Sequence, residues 1–376
     1  MKSRDVPVYW YGGARVPGMM RAVANVFGGV VALRRKAYAN GWLKATRVSA
    51  PVIVVGNLTA GGTGKSPTVM AIVNRLKQAG YRPGVASRGY GRQDENKPLR
   101  VTSTTTVQES GDEPAMIAAA TGVPVQLDSN RVRAAQALIQ DGCDVIVCDD
   151  GLQHYALARD IEIEVIDANR RYGNALLMPA GPLREPPERG DKVDFRILNW
   201  AAAEPSQKVR GLWPMQYRYG EAINVATGRL RALDTFLHQR VHAVAGIGDP
   251  ERFFEYLRSQ GLLIIPHRFP DHHAYVESDF RFEKQLPVLM TSKDAIKCRA
   301  FAQPHFFELP IEPQLPEAFW TALLDRVASL RPVVENDVSA EADVSENTDV
   351  DAEVVDDIDP DVGPESVVDD GVPDVR

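Results

Sequence analysis

Short apolar runs recur along the middle of the chain. Each ends in a polar or glycine-rich turn, and a stretch with helical spacing follows. Val52–Val55 is the first such run, four β-formers leading into Gly56. A helix is predicted from about Pro67 to Ala79. Pro67 suits a first helical turn, where its missing N–H costs nothing, and Gly80 suits the stop. Further strands are predicted at Pro83–Ser87, Asp144–Cys148 and Ile161–Ile166, with helices at Glu113–Ala120 and Arg131–Gln140. Strands spaced by helices predict an α/β fold, a mostly parallel sheet flanked by crossover helices. Such sheets take their ligands beyond the carboxyl ends of the strands. A second, smaller α/β region starts near Trp213. It has strands at Val241–Ala245, Leu262–Pro266 and Val288–Met290, and a helix at Glu251–Ser259. The proline- and charge-rich stretch Arg184–Arg196 reads as the start of the connection.

Before the first strand, Val16 to Leu33 is apolar, interrupted by Arg21 and Asn25 and closed by Arg34-Arg35-Lys36. Its longest uncharged run, Ala22 to Leu33, is twelve residues, whereas a bilayer span needs roughly twenty. On a helical wheel Met20, Val23, Phe27, Val30 and Val31 share one side, and Gly28-Gly29 is a weak point. The flanking cations and the rings of Trp10, Tyr11 and Trp42 suit an anionic membrane interface. A helix packed on the protein's own core is the other reading. No cleavable leader is evident.

Charge divides the chain. Its 376 residues carry a net −7, but from Glu335 onward there are sixteen acidic residues and one basic residue, Arg376. That stretch carries −15, which leaves +8 on residues 1–334. The tail has no aromatic residue and is expected to be disordered. The basic body suits anionic ligands. Cys143, Cys148 and Cys298 form no CxxC pair and fit a reducing compartment, with Cys143 and Cys148 expected in the core. Four regions follow: an N-terminal helical segment (1–50), a nucleotide-binding core (51–212), a second lobe (213–334) and the acidic tail (335–376).

The nucleotide assignment comes from the loop after the first strand, Gly56-Asn57-Leu58-Thr59-Ala60-Gly61-Gly62-Thr63-Gly64-Lys65-Ser66-Pro67. Glycines let backbone N–H groups turn toward phosphate oxygens. Lysine reaches the β- and γ-phosphates, serine can hold Mg²⁺, and the helix that follows offers its positive end. This is a P-loop NTPase-type arrangement, although Thr59 stands where the strict pattern has glycine. Thr59 to Ser66 are the candidate nucleotide-binding residues. Asp149-Asp150 follow a continuous apolar strand, where carboxylates in such a fold hold Mg²⁺ directly or through water. Capping is the alternative for them, as it is for Asp112, the first candidate for a base that orients and deprotonates an acceptor. The second is His272, in Phe269-Pro270-Asp271-His272-His273. Without a further ligand cluster this stretch does not call for zinc. Arg88, Arg92 and Arg184, in turns at strand ends, are candidates for phosphate contact, and Tyr90 joins them on the substrate side.

Taken together these segments resemble a family, the tetraacyldisaccharide 4′-kinases of lipid A biosynthesis. The likeness rests on the loop above and on Ser87-Arg88-Gly89-Tyr90-Gly91-Arg92, Gly111-Asp112-Glu113-Pro114 and Asp149-Asp150-Gly151-Leu152-Gln153-His154. It continues in Pro179-Ala180-Gly181-Pro182-Leu183-Arg184-Glu185, Ala245-Gly246-Ile247-Gly248 and Phe269-Pro270-Asp271-His272. Their order is preserved over roughly residues 8 to 330, and Thr59 fits this family's form of the loop. The resemblance implies transfer of the ATP γ-phosphate to the 4′-hydroxyl of a tetraacyldisaccharide 1-phosphate, giving lipid IVA. It implies a monotopic protein on the cytoplasmic face of the inner membrane. It also implies Asp112 as base paired with His272, Lys65 and Ser66 on phosphate and Mg²⁺, and Asp149, Asp150 and Glu185 at the metal or nucleotide. No nucleic acid and no obligate protein partner is expected. The rivals are a P-loop nucleotide switch and an ATP-dependent ligase of the same fold. A GTPase would need a guanine-reading motif, and Thr291-Ser292-Lys293-Asp294 has the wrong order for one.

Overall fold

The structure, a computed structural model, describes residues 6–199 and 211–330. The acidic tail from Glu335 lies outside the described residues.

Val52–Gly56 is buried along its whole length, because parallel strands flank it on both sides and helices cover both faces. It belongs to a nine-stranded sheet. The order across that sheet is Ile311–Gln314, Leu212–Tyr219, Phe195–Asn199, Ile161–Asp167, Val52–Gly56, Val145–Asp149, Pro83–Ser87, Val125–Leu127 and Leu99–Val101. Only the two outermost pairings are antiparallel. Side chains alternate between faces with period two. Ile53 and Val55 therefore meet Val69, Ile72 and Leu76 of the Lys65–Gln78 helix on one face. Val52 and Val54 meet Ala134, Ala135 and Leu138 of the Arg131–Gln140 helix on the other. The expected parallel α/β architecture is what forms.

The second sheet has six strands, ordered Leu230–Arg231, Ala222–Asn224, Phe306–Leu309, Val288–Thr291, Arg240–Ala245 and Leu263–Arg268. Its four central and distal strands run parallel. The chain then returns to the first sheet. Ile311–Gln314 forms the edge strand there, and the Glu317–Ala328 helix sets Phe319 edge-on to Phe195 and Trp213. Contacts at the carboxyl ends of their strands bring the sheets together. Arg252 donates to Asp167 at 2.8 Å, and the Asp112–Thr121 helix packs on the Ser292–Cys298 helix. All three cysteines are buried and unpaired.

The N-terminal helix runs from Gly18 to Ala39 without a break at Gly28-Gly29. The expected weak point has a packing role instead: a Cβ on Gly28 would lie 2.8 Å from Leu177 Cδ1. The exposed apolar stripe is also displaced from the one read on the wheel. Met20, Phe27 and Val31 turn partly inward, whereas Met19, Val23, Val26, Val30 and Leu33 face out. Among the described residues no helix is long and apolar enough to cross a membrane.

Candidate active site

A cavity of about 1030 Å³ opens between the two sheets, at the upper end of what one small ligand fills. Gly61 to Ser66 form part of its wall. Gly64 ends the loop at φ 91°, and a side chain there would collide with Tyr217 and Asn199, so glycine is required. Asn199 donates to the Thr63 carbonyl at 2.8 Å, and the Arg170 guanidinium donates to that of Gly62. Lys65 Nζ donates to Asn57 Oδ1 at 3.3 Å and lies 3.8 Å from Asp150. Ser66 shares the first helical turn. Thr59 and Ala60 do not line the cavity. Thr59 bridges to Leu183, and Ala60 N donates to Pro182 O at 2.8 Å, so these residues brace the loop from behind.

The strand-end carboxylates face the same space in different states. Asp149 is 2% exposed and its Oδ1 has no hydrogen-bond partner among the described residues. Burial, then the neighbouring Glu113 and Asp150, push its carboxyl up to about 7. Asp150 sits in the left-handed region at φ 49°, a conformation non-glycine residues adopt only where their surroundings enforce it. It accepts from Arg184 at 3.0 Å through both oxygens. Burial acts to raise its carboxyl, but Lys65 and Arg184 outweigh that and hold it below the usual range. Glu185 lines the cavity with its oxygens engaged by the protein: Tyr155 donates at 2.5 Å, Gln153 at 3.2 Å, and Arg35 lies 3.8 Å away. Among the described residues no group of three or more His, Cys, Asp or Glu side chains is arranged to hold a metal.

Across the cavity, Asp112 opens its helix directly after Gly111, which takes the cap position at φ 84°. The capping alternative is not realised, because no side-chain cap bond forms at this terminus. Asp112 Oδ2 instead lies 3.0 Å from His272 Nδ1 and 3.3 Å from Lys297 Nζ. Burial pushes its carboxyl up, yet the His272 hydrogen bond and the charges of Lys297 and Lys293 prevail, and the net shift is downward. His272 reaches Asp112 from a backbone at φ 61°, 160 residues away in the chain. His273 turns away, to Asp279 at 2.9 Å.

Arg88 and Arg184 line the cavity, and Tyr90 stands on its rim, 68% exposed. Arg92 does not line it. It is buried and braces its own loop through the carbonyls of Glu95 and Lys97. The N-terminal helix supplies a further wall through Phe27, Val30, Val31, Arg34 and Arg35.

Several lining residues were not singled out from the sequence. Arg131, 4% exposed, donates to the carbonyls of Asp128 and Asp149, and its Nε has no partner among the described residues. His154 is driven down to about 4, first by burial and then by nearby arginines, and is neutral at pH 7. Lys293, which lines the cavity, and Lys297, which does not, carried one available signal, an i, i+4 spacing that puts both on one helix face.

The family described as tetraacyldisaccharide-1-P 4′-kinase matches residues 18–328. A tetraacyldisaccharide 4′-kinase of Stenotrophomonas maltophilia is 55% identical over 335 residues, which is 88% of this chain and 99% of the relative. One of Xylella fastidiosa strain M23 is 54% identical over 333 residues, 88% and 98% respectively. The crystal structure of an "apo" form of LpxK from Aquifex aeolicus in complex with ATP is similar with a TM-score of 0.71 at 28% identity. The likeness covers 81% of this chain and 98% of that one. With a phosphate loop, strand-end carboxylates and a histidine-supported aspartate around one cavity, and with these relatives spanning most of its length, the chain belongs to the tetraacyldisaccharide-1-P 4′-kinase family.

Proposed function

We propose that this chain transfers the γ-phosphate of ATP to the 4′-hydroxyl of a tetraacyldisaccharide 1-phosphate. The observation that carries the reading is the placement of Asp112, His272 bonded to it at 3.0 Å, on the same cavity as the phosphate loop. The loop amides, Lys65 and the positive end of the Lys65–Gln78 helix hold the donor phosphates. Asp112 orients the acceptor hydroxyl and takes its proton as the oxygen attacks. The transferring group gains charge stabilisation from Lys65 and the loop amides, the main contribution a protein makes to phosphoryl transfer. Arg88, Tyr90 and Arg184 belong to the substrate side.

The donor set fits Mg²⁺, which binds few protein ligands and keeps waters and phosphate oxygens. Asp149, with its partnerless buried Oδ1, and Ser66 would hold it, with Asp150 beside them. When bound, Mg²⁺ neutralises charge on the β- and γ-phosphates. The exposed stripe of the N-terminal helix, with Arg21 and Arg34 to Lys36 around it, supports a peripheral, monotopic seat on the cytoplasmic face of the inner membrane.

A guanine-reading switch is disfavoured by Asp294. It is fully buried and bonded to Gly246 N, Thr291 and Tyr275, so it has no access to a base. The deciding experiment incubates the protein with γ-labelled ATP and the disaccharide lipid. Label recovered in the lipid supports the reading. Label found only in inorganic phosphate overturns it.

A further inference from the structure

The Ser292–Cys298 helix places Lys293 and Lys297 four residues apart, on the face that meets Asp112. Their roles differ. Lys293 lines the cavity and bonds Asp271 at 2.9 Å. Lys297 does not line the cavity. Its side chain is 5% exposed, and its ammonium lies between two carboxylates, 3.3 Å from Asp112 Oδ2 and 3.4 Å from Asp294 Oδ1. Asp294 is itself fixed by Gly246 N at 3.0 Å, Thr291 Oγ1 at 2.6 Å and Tyr275 OH at 3.1 Å. The approach is close enough that a Cβ on Gly246 would lie 3.0 Å from Asp294 Oδ1 and 2.7 Å from Tyr275 OH. A rigid second-sheet anchor therefore sets where the Lys297 ammonium stands.

Both groups that hold Asp112 hold the same oxygen. His272 Nδ1 and Lys297 Nζ both meet Oδ2, and Oδ1 has no hydrogen-bond partner among the described residues. We infer that Lys297 is a positioning residue for phosphoryl transfer: with His272 it pins Oδ2 of Asp112, so that Oδ1 is the atom presented to the acceptor hydroxyl. The inference rests on the reading of Asp112 as base. In the step, the hydroxyl O–H bond breaks and its proton joins Oδ1. The freed oxygen pair forms the new O–P bond, and the bond from phosphorus to the departing ADP oxygen breaks with its pair. The other charged groups around Asp112 are His272 and Lys293, with Glu113 and Asp271 compensating Lys293. Among the cationic and imidazole groups around Asp112, Lys297 is the one that does not line the cavity.

The test compares Lys297→Met, Lys297→Arg and Asp112→Asn in the full chain, with ATP and the tetraacyldisaccharide 1-phosphate in detergent micelles. Lys297→Met is expected to lower kcat about tenfold or more while KM for ATP stays within about twofold. Its acid limb moves to higher pH, since loss of the ammonium favours the protonated carboxyl. Lys297→Arg restores most of the rate. In the Asp112→Asn background, Lys297→Met costs a further factor of about two or less, because the lysine acts through the missing carboxylate. If Lys297→Met does not yield folded protein, Lys297→Gln makes the same comparisons. Unchanged kcat and acid limb in the lysine variant, or equal losses in both backgrounds, overturn the inference. Wild-type turnover in Asp112→Asn alone would remove the base reading beneath it.

Discussion

The two sides of the cavity are built by different means. On the proposed donor side, one unbroken segment from Gly61 to Ser66 lines the cavity, and its conformation follows from local rules: a buried strand, glycines where φ is positive, a helix start. On the acceptor side, Asp112, His272, Lys293 and Lys297 come from three separate segments, and they meet only because two sheets pack at their carboxyl ends. A phosphate cradle needs many equivalent backbone donors, which a single loop can supply. An oriented base needs one carboxylate with its partners at defined angles, which takes convergence from several directions.

The largest way to break this contrast is Lys65→Ala. Steady-state kinetics with varied ATP should show kcat/KM reduced about a thousandfold, with ATP binding and turnover both impaired, as expected of a lysine proposed to serve ground and transition states alike. Asp112→Asn should lower kcat about a hundredfold to a thousandfold while the ATP dissociation constant, read by calorimetry, changes about twofold or less. Equal losses in binding and turnover would mean that the two sides are not separable. Arg252→Ala sharpens the comparison by cutting a tie between the sheets. It leaves Asp167, 2% exposed, with one fewer partner, at a cost of about 1–3 kcal/mol in urea unfolding. KM for ATP should rise with it, because Asp167 also orders Arg170, which touches Gly62. An unaltered KM would show that the phosphate loop does not depend on the second sheet. The smallest effect concerns neither side. Val26→Ser, on the exposed stripe, should weaken co-sedimentation with anionic vesicles about threefold to tenfold and leave turnover on detergent-dispersed acceptor unchanged.

The same contrast explains what could be read before the fold was known. The strand, loop and helix around Lys65 were legible because their signals lie within a few residues of one another. So were the parallel sheet and three of the six strands of the second sheet, whose bounds shift by only a residue or two, whereas Leu230–Arg231, Ala222–Asn224 and Phe306–Leu309 were not read. Asp149 and Asp150 were legible from an apolar strand ending in acid. Lys293 and Lys297 were not. Their four-residue spacing is common on solvated helices, and nothing local says that this helix faces Asp112. Arg92 was misleading for the opposite reason: it lies in the same glycine-punctuated turn as Arg88, yet its guanidinium closes the turn on itself. The weak point expected at Gly28 was a sequence rule overridden by packing, since Leu177 needs the space a side chain would fill.

The N-terminal helix has its own two-sidedness. Val23, Val26 and Leu33 look outward, while Phe27, Val31 and Arg35 border the cavity. An α-helix with its side chains is only about 10–12 Å across. Whatever surface rests against the outer stripe therefore lies one helix diameter from the space where the chemistry takes place. An amphiphile with its tails anchored in that surface could put its sugar into the cavity by a short sideways tilt. Its encounter with the protein would then be a search in two dimensions, governed by surface density rather than by the acceptor's near-zero concentration in water.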